Sequence, residues 1–465
     1  MRYTHVRRVG ALLVGLGLIG AACGSSKSQT TATTSAGTGT TAATTATTAA
    51  TSATTAATSG TTAAATGSGA LAGMKGLTPL VQLSADFKTR LKTIDPSLKD
   101  YNYAAETYDA VTIIALAVEK AKTDGIDYAK EINGITRTGE KCTDFKSCKA
   151  LIDAGKDPDY DGASGPGEFS GNGEPLQASY GLLQFGANDR LDDSKTTYLK
   201  ATAPASADVP QDAVVGTRKG DGVLKIGTIL PQTGSLAFLG PPEFAGFDLA
   251  IKDINDNGGV LGKPVEGIKG DSGDATTDTA NQTVDRLLSQ NVDAIIGAAS
   301  SGVSLTVIDK ITGAGVVEFS PANTSKKLST YADKGLYFRT APSDILQAAT
   351  LSGVIAGDGN ATVAIIARND AYGTGLAGDL ATDLKAAGLT VVVTKLYDEK
   401  APNFDAEVAA AKAANPDAIA LISFDEGSRI LTKMVEQGIG PKDKKVYGCD
   451  GNMGNALGTA FDAGK

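Results

Sequence analysis

Beyond residue 220, short aliphatic and β-branched runs alternate with stretches whose apolar positions recur every three to four residues. The runs 223–230, 265–270, 294–296, 316–319, 363–367, 391–395, 418–422 and 445–448 read as strands. Between them, 241–257, 277–290, 303–312, 345–356, 374–387, 403–414 and 427–437 read as helices. In 277–290 the apolar Val284, Leu287 and Leu288 share one face. This alternation predicts an α/β fold with parallel sheets covered by helices on both faces. In such sheets ligands bind beyond the carboxyl ends of the strands, which directs attention to the residues just after each one.

Two of those positions share a chemistry. Gly297-Ala298-Ala299-Ser300-Ser301-Gly302 follows one strand, and Ser320-Pro321-Ala322-Asn323-Thr324 follows the next. Free backbone N–H groups and hydroxyls at helix starts suit a carboxylate. The same residue types also serve simply as helix caps, and the sequence leaves both roles open.

The N-terminal pattern is different. Arg2, Arg7 and Arg8 precede an apolar run over 9–19, then Gly20, Ala21, Ala22 and Cys23. This is a secretory signal, too short for a membrane span. Its end resembles a bacterial lipoprotein cleavage site, which implies lipidation of Cys23. It departs at Gly20, where an aliphatic residue is usual, and a plain secretory signal with an incidental cysteine is the alternative. Residues 24–70 are almost only Thr, Ala, Ser and Gly, too poor in apolar surface to order, and read as a tether reaching about 40 Å.

The chain carries a net charge of -9 and has no Lys/Arg block, which argues against a nucleic-acid partner. Its only histidine, His5, lies in the signal, so the exported body has no imidazole for a Ser-His or Cys-His pair or for zinc. Cys142 and Cys148 bracket a short polar stretch of an exported protein and read as a local disulfide, leaving Cys449 as a buried small hydrophobe.

A family resemblance joins these features. Leu224-Lys225-Ile226-Gly227, Pro231-Gln232-Thr233-Gly234-Ser235, Gly240, Ala245-Gly246, Ile254-Asn255 and Gly258-Gly259 resemble the start of branched-chain amino-acid binding proteins, the type I solute-binding proteins of ABC transporters. Ser320 to Thr324, Tyr372-Gly373 with Gly375, and Tyr447-Gly448 with Asp450-Gly451 continue it in family order. The resemblance implies two Rossmann-like α/β lobes that pivot at crossover strands and close over a free amino acid. It implies that Ser301, Ala322 and Thr324, with Asn323 in the same loop, hold the α-carboxylate and part of the ammonium. Tyr372 would supply an aromatic wall and Asp450 the acid facing the ammonium, with Phe424, Tyr108, Phe238 and Leu239 enclosing the side chain. The family often has Glu where Asp450 stands, which leaves ligand size and pose open. Without the resemblance, Asp450-Gly451 reads as a turn.

The chain order departs from the family. The helix with Glu106-Thr107-Tyr108-Asp109-Ala110, the segment from Tyr160-Asp161-Gly162 to Phe169 and the strand near 180–185 belong at the family's C-terminus but stand first here. The expected organisation is therefore circularly permuted: signal 1–23, tether 24–70, family C-terminal segment 71–195, linker 196–220, and the main parts of the two lobes at 221–341 and 342–465. One lobe would combine 86–172 with 221–341, the other 342–465 with 71–85 and 173–195. A damaged tandem gene or an assembly artefact is the competing account of the order.

Two motifs suggest other chemistry. Gly373-Thr374-Gly375-Leu376-Ala377-Gly378 matches G-x-G-x-x-G, but five residues separate it from the strand ending at Ala367, and close packing at a pocket-facing helix start is the alternative. Asp157, Asp159, Asp161, Gly162 and Glu168 have the spacing of a calcium loop, against which stand Pro158, Ser164 and Gly165-Pro166-Gly167. The reading that follows is a non-enzymatic receptor without cofactor or metal. It would be a monomer anchored by lipid to the outer face of the bacterial cytoplasmic membrane, delivering an aliphatic amino acid to ABC permease subunits. The same fold holding urea, an amide or an aromatic acid is the runner-up, and a nucleotide-dependent oxidoreductase a distant third.

Overall fold

The computed structural model describes residues 67–463; the signal, Cys23 and nearly all of the tether lie outside the described residues. Two parallel-rich sheets organise it. The first has five parallel strands in the spatial order Tyr337–Arg339, Val317–Ser320, Ala294–Gly297, Lys225–Ile229, Glu266–Ile268. Ala294–Gly297 and Val317–Ser320 are buried along their whole length, as central strands covered on both faces must be.

The second sheet has seven strands in the order Thr390–Tyr397, Thr362–Arg368, Ala418–Ile422, Lys445–Gly448, Lys75–Pro79, Gln177–Gln184, Thr197–Thr202. The first five run parallel, Gln177–Gln184 runs antiparallel to them, and Thr197–Thr202 runs antiparallel to Gln177–Gln184. Lys75–Pro79 inserts between Lys445–Gly448 and Gln177–Gln184, so strands from opposite ends of the sequence share one ladder.

Helices Ala85–Ile94 and Ala104–Ala121 pack with Gly240–Asp256 on the five-stranded side. The approach is close because Gly246 lies against the Ala104 backbone, where a Cβ would come within 2.2 Å of the carbonyl oxygen. A small sheet, Glu140–Cys142, Pro158–Gly162 and Gly165–Pro166, completes that lobe beside the Cys142–Cys148 disulfide. The chain passes between lobes at Pro79, Pro175 and Pro342 and again after Thr202, and these three prolines line one small cavity. Among the described residues, no helix is long and apolar enough to cross a membrane.

Two expectations need correction. The tether ends earlier than residue 70: Gly67 pairs with Asp462, Ser68 N donates to Phe461 O at 3.1 Å, and Ala70 is buried. Asp189 does the holding, accepting from Gly69 N and Leu71 N, each at 2.7 Å. The segment 196–220 is not simply a linker. Thr197–Thr202 is an edge strand whose β-branched and aromatic residues pair with Gln177–Gln184, and the rest is strapped to the other lobe. Gly171 N donates to Val209 O at 3.0 Å, Val215 N to Lys334 O at 3.0 Å and Ile126 N to Arg218 O at 3.1 Å. Arg137 and Arg218 add ion pairs to Asp208 at 2.9 Å and Asp293 at 2.6 Å.

Asp189 is fully buried and serves backbone donors that have no other acceptor. Asp189→Ala should cost about 1–3 kcal/mol. Urea denaturation should show the loss, and hydrogen exchange should show the earliest opening at 69–74.

Candidate functional site

The loops after the strands converge between the lobes. Leu236, Leu239, Ala299 and Ala322 from one side join Tyr103, Tyr372, Phe424 and Cys449 in a single buried cluster. At its polar centre stands Asp450, 5 % exposed, just beyond the strand Lys445–Gly448. Its carboxylate accepts from Tyr372 Oη at 2.6 Å, Tyr103 Oη at 2.7 Å and Gln347 Nε2 at 2.9 Å. Burial pushes the carboxyl above its ordinary range, while these donors pull it back.

The aromatic wall is held from behind. Tyr372 stacks on Phe424 with centroids 5.3 Å apart and planes 23° from parallel. The Arg368 guanidinium lies 3.6 Å from the Phe424 centroid and is itself fixed by Asp370, Glu426 and Glu399. A cation over the ring face adds electrostatic attraction to the packing.

On the opposite side, Ser301 begins the helix Ser301–Gly313, and Ser300 before it makes no side-chain cap bond. Ser301 Oγ accepts from Ser325 N at 3.2 Å instead, tying the two small-residue loops together. Ala322 and Thr324 are buried in the same region. Asn323 sits there too, but its amide is used within the loops. It donates to Ala298 O and Ala299 O at 2.9 Å each and accepts from Tyr337 Oη at 3.0 Å, so its side chain shapes the site rather than lining it. Phe238 is partly buried against the cluster, facing Gly454 of the other lobe.

Tyr108 is a correction. Its ring meets the edge of Phe87 at 5.3 Å and its hydroxyl donates to Asp253 at 2.7 Å, on the side of its helix that packs within one lobe. The helix reaches the cleft through Tyr103, which sequence reasoning missed. Tyr103 stands at the N-terminal end with φ 60°, a left-handed conformation that turns the chain into the helix. An aromatic directly before an apolar helix was the available signal.

The alternative motifs are used structurally. A Cβ on Gly373 would come within 2.2 Å of Arg368 O, so this glycine allows the helix to approach the strand end. Asp159, Asp161 and Glu168 converge on Lys141 Nζ at 3.0, 3.1 and 3.3 Å, while Asp157 pairs with Lys120 at 2.9 Å.

A match over just over half of the chain decides its family: residues 223–463 fit the model described as periplasmic binding protein. The chain belongs to the periplasmic binding protein family. A second model, receptor family ligand binding region, matches residues 3–188. The family member Leu/Ile/Val-binding protein homolog 7 of Brucella suis is 28% identical over 282 residues, 58% of this chain and 65% of the relative. Homolog 8 of Brucella abortus is 28% identical over 252 residues, covering 52% and 60%. The chain thus spans a little under two thirds of the curated relatives it matches. The Streptococcus pneumoniae branched-chain amino acid transporter substrate binding protein, solved with isoleucine, is 27% identical with a TM-score of 0.44, covering 49% of this chain and 64% of that one.

Beneath this cleft the family member carries a buried acid, Glu106, lining the cavity that Pro79, Pro175 and Pro342 also line. Burial pushes its carboxyl up to about 8, and Oε2 has no hydrogen-bond partner. The unfolded chain gives up this proton at lower pH than the folded one, so stability falls as pH rises from about 4.5 toward 8. Glu106→Gln removes that fall. Urea titrations should find the variant equal to wild type near pH 4 and about 1–3 kcal/mol more stable at pH 8.

Proposed function

We propose that this chain is an extracytoplasmic receptor that binds a small amino acid between its lobes and delivers it to the permease of an ABC importer. The observation that carries this is Asp450. A buried carboxylate, held by phenols of both lobes and an amide, has no Lys or Arg ion pair among the described residues. A ligand ammonium entering between the lobes supplies the missing charge. Ser301, Ala322 and Thr324 lie across the cleft where a carboxylate finds backbone N–H groups and hydroxyls. The apolar lining by Leu236, Leu239 and Phe424 suits an aliphatic side chain, and the relatives named for Leu, Ile and Val agree with it.

In this reading the protein performs no chemistry. It works as a monomer, with Cys23 carrying a lipid and the residues after it forming the tether. Its aromatic wall of Tyr103, Tyr372 and Phe424 is what favours the second reading, an aromatic acid in the same cleft. Thermal shift with leucine, isoleucine, valine, urea and hydroxybenzoate separates the two, and flavin or nicotinamide absorbance in the purified protein would sink both in favour of an oxidoreductase.

We also propose that the order is a circular permutation of the family. Lys75–Pro79 and Gln177–Gln184 complete a sheet begun by strands of 362–448, and Gly67 pairs with Asp462. Joining Lys465 to Gly67, which keeps the docked residues 67–70, and opening the chain within 203–216 should preserve ligand preference and raise the melting point. A changed preference would undo the permutation reading.

Asp450→Ala should abolish calorimetric heat with leucine, isoleucine and valine while the protein stays folded. Loss of one buried partner of a charge pair costs about 3–5 kcal/mol, about a hundredfold or more in affinity. Equal binding by wild type and variant would remove Asp450 from the ammonium site.

A further inference from the structure

The cleft contains a second carboxylate that the amino-acid reading leaves unused. Asp344 opens the helix Asp344–Gly357 and is fully buried. One of its oxygens accepts from Gln347 Nε2 at 3.3 Å, and Oδ2 has no hydrogen-bond partner. The same Nε2 donates to Asp450 at 2.9 Å, while Gln347 Oε1 accepts from Asp450 N at 3.2 Å. One amide therefore ties two buried carboxylates together with both of its N–H groups. Asp344, Gln347 and Asp450 all belong to the lobe of the seven-stranded sheet, so the relay does not depend on lobe closure.

The surroundings supply no free cation. Arg339 is the positive charge acting on Asp344, but its guanidinium is spent elsewhere. It pairs with Glu174, donates to Asn323 O at 3.2 Å and Ser325 O at 3.0 Å, and reaches Ser329 Oγ at 2.7 Å. Thr324 O of the other lobe accepts from Asp344 N at 2.7 Å, and Asp379 adds a further negative charge near the carboxyl. Tyr103, Tyr372, Tyr180 and Cys449 are the remaining titratable neighbours, all fully buried and neutral at pH 7. Burial and the proximity of Asp450 both push the Asp344 carboxyl well up.

Two ionised carboxylates in one dry site repel strongly, and a single shared proton relieves the repulsion. We propose that Asp344 completes the cation subsite of the cleft: the Asp344–Gln347–Asp450 relay holds one proton when the cleft is empty and releases it when a ligand ammonium enters. The carboxylic O–H bond breaks, its proton passes to solvent, and ammonium N–H groups take its place. The site carries one net negative charge before and after. Ligands of the primary-ammonium class fit this exchange; a neutral amide or a benzoate brings no cation to displace the proton. The proposal rests on the amino-acid reading only for the identity of the ligand.

Two measurements on the full chain test it. Carbonyl-labelled aspartate NMR of the ligand-free protein, with Asp344→Asn and Asp450→Asn to assign the signals, follows the pair from pH 3 to 9. The expected result is two steps, one well above pH 7 that vanishes in Asp344→Asn. Both steps below pH 5, or an upper step that survives in Asp344→Asn, would overturn the shared proton. Gln347→Leu cuts the relay without changing charge and is the second variant; its upper step should move up, and an unmoved step counts against the relay. Calorimetry with leucine at pH 7 in phosphate and in Tris should then show release of about one proton in wild type and none in Asp344→Asn. Leucine binding without proton release overturns the exchange. Absence of heat with leucine, isoleucine and valine counts against the amino-acid reading instead, and the NMR titration still decides whether the proton is shared.

Discussion

The pairing of Lys75–Pro79 with Lys445–Gly448 is the constraint on which the rest of the molecule depends. Lys75 is opposite Tyr447 and Gly76 opposite Gly448 in a parallel ladder, so the first strand among the described residues fixes the last one. Asp450, two residues beyond that last strand, is placed by this ladder. Gly76 and Gly448 are small because the Met453 side chain lies against both, filling the space where any Cβ would stand. Lys75 also pairs with Asp358 at 2.8 Å, linking the ladder to the helix that presents Gln347. A register slip would turn every side chain of the strand to the other face and take the cleft acid with it.

Much of this was legible in the sequence where period and composition agree. Ala418–Ile422 and Lys445–Gly448 have the bounds expected of them; the first is buried along its whole length and the second from Val446 on. Four helices, Gly240–Asp256, Ser301–Gly313, Asp344–Gly357 and Ala371–Ala386, begin slightly earlier than their apolar patterns suggest, while Thr279–Ser289 and Asp405–Ala414 begin later. Ala371–Ala386, for example, starts where Asp370 caps it by accepting from Gly373 N at 2.7 Å. The strand Tyr337–Arg339 was missed because it ends on the charged Arg339 and lies between Gly335 and Pro342, which give the run a turn's composition. The edge strand Thr197–Thr202 was missed because neighbouring Ala, Pro and Asp gave the whole segment a linker's composition.

Within the site, proximity in space was legible but the direction of side chains was not. Ser301, Ala322, Thr324, Tyr372, Phe424 and Asp450 gather as the order of strands requires. Asn323 and Tyr108 depend on which way a side chain leaves the backbone, and that is set by partners distant in sequence, Tyr337 for one and Asp253 for the other. Arg368 behind Phe424 was hidden for the same reason: a charged residue at a strand end gives no sign that it will stack beneath a ring. Asp344 and Gln347 looked like an ordinary helix start, and only the fold shows them touching Asp450.

The strap over 203–222 has a consequence for the way the molecule comes apart. It is the chain's only continuous bridge from the edge strand Thr197–Thr202 to Lys225–Ile229, and several of its residues are exposed, Val215 by 57%. A single cut there would give two polypeptides, each holding pieces of both lobes and neither holding a whole sheet of the larger lobe. The smaller piece would leave with the three strands at one end of that sheet, the larger with the other four and the acid of the cleft. The two halves are thus interleaved rather than side by side, and each is a template without which the other has no stable shape.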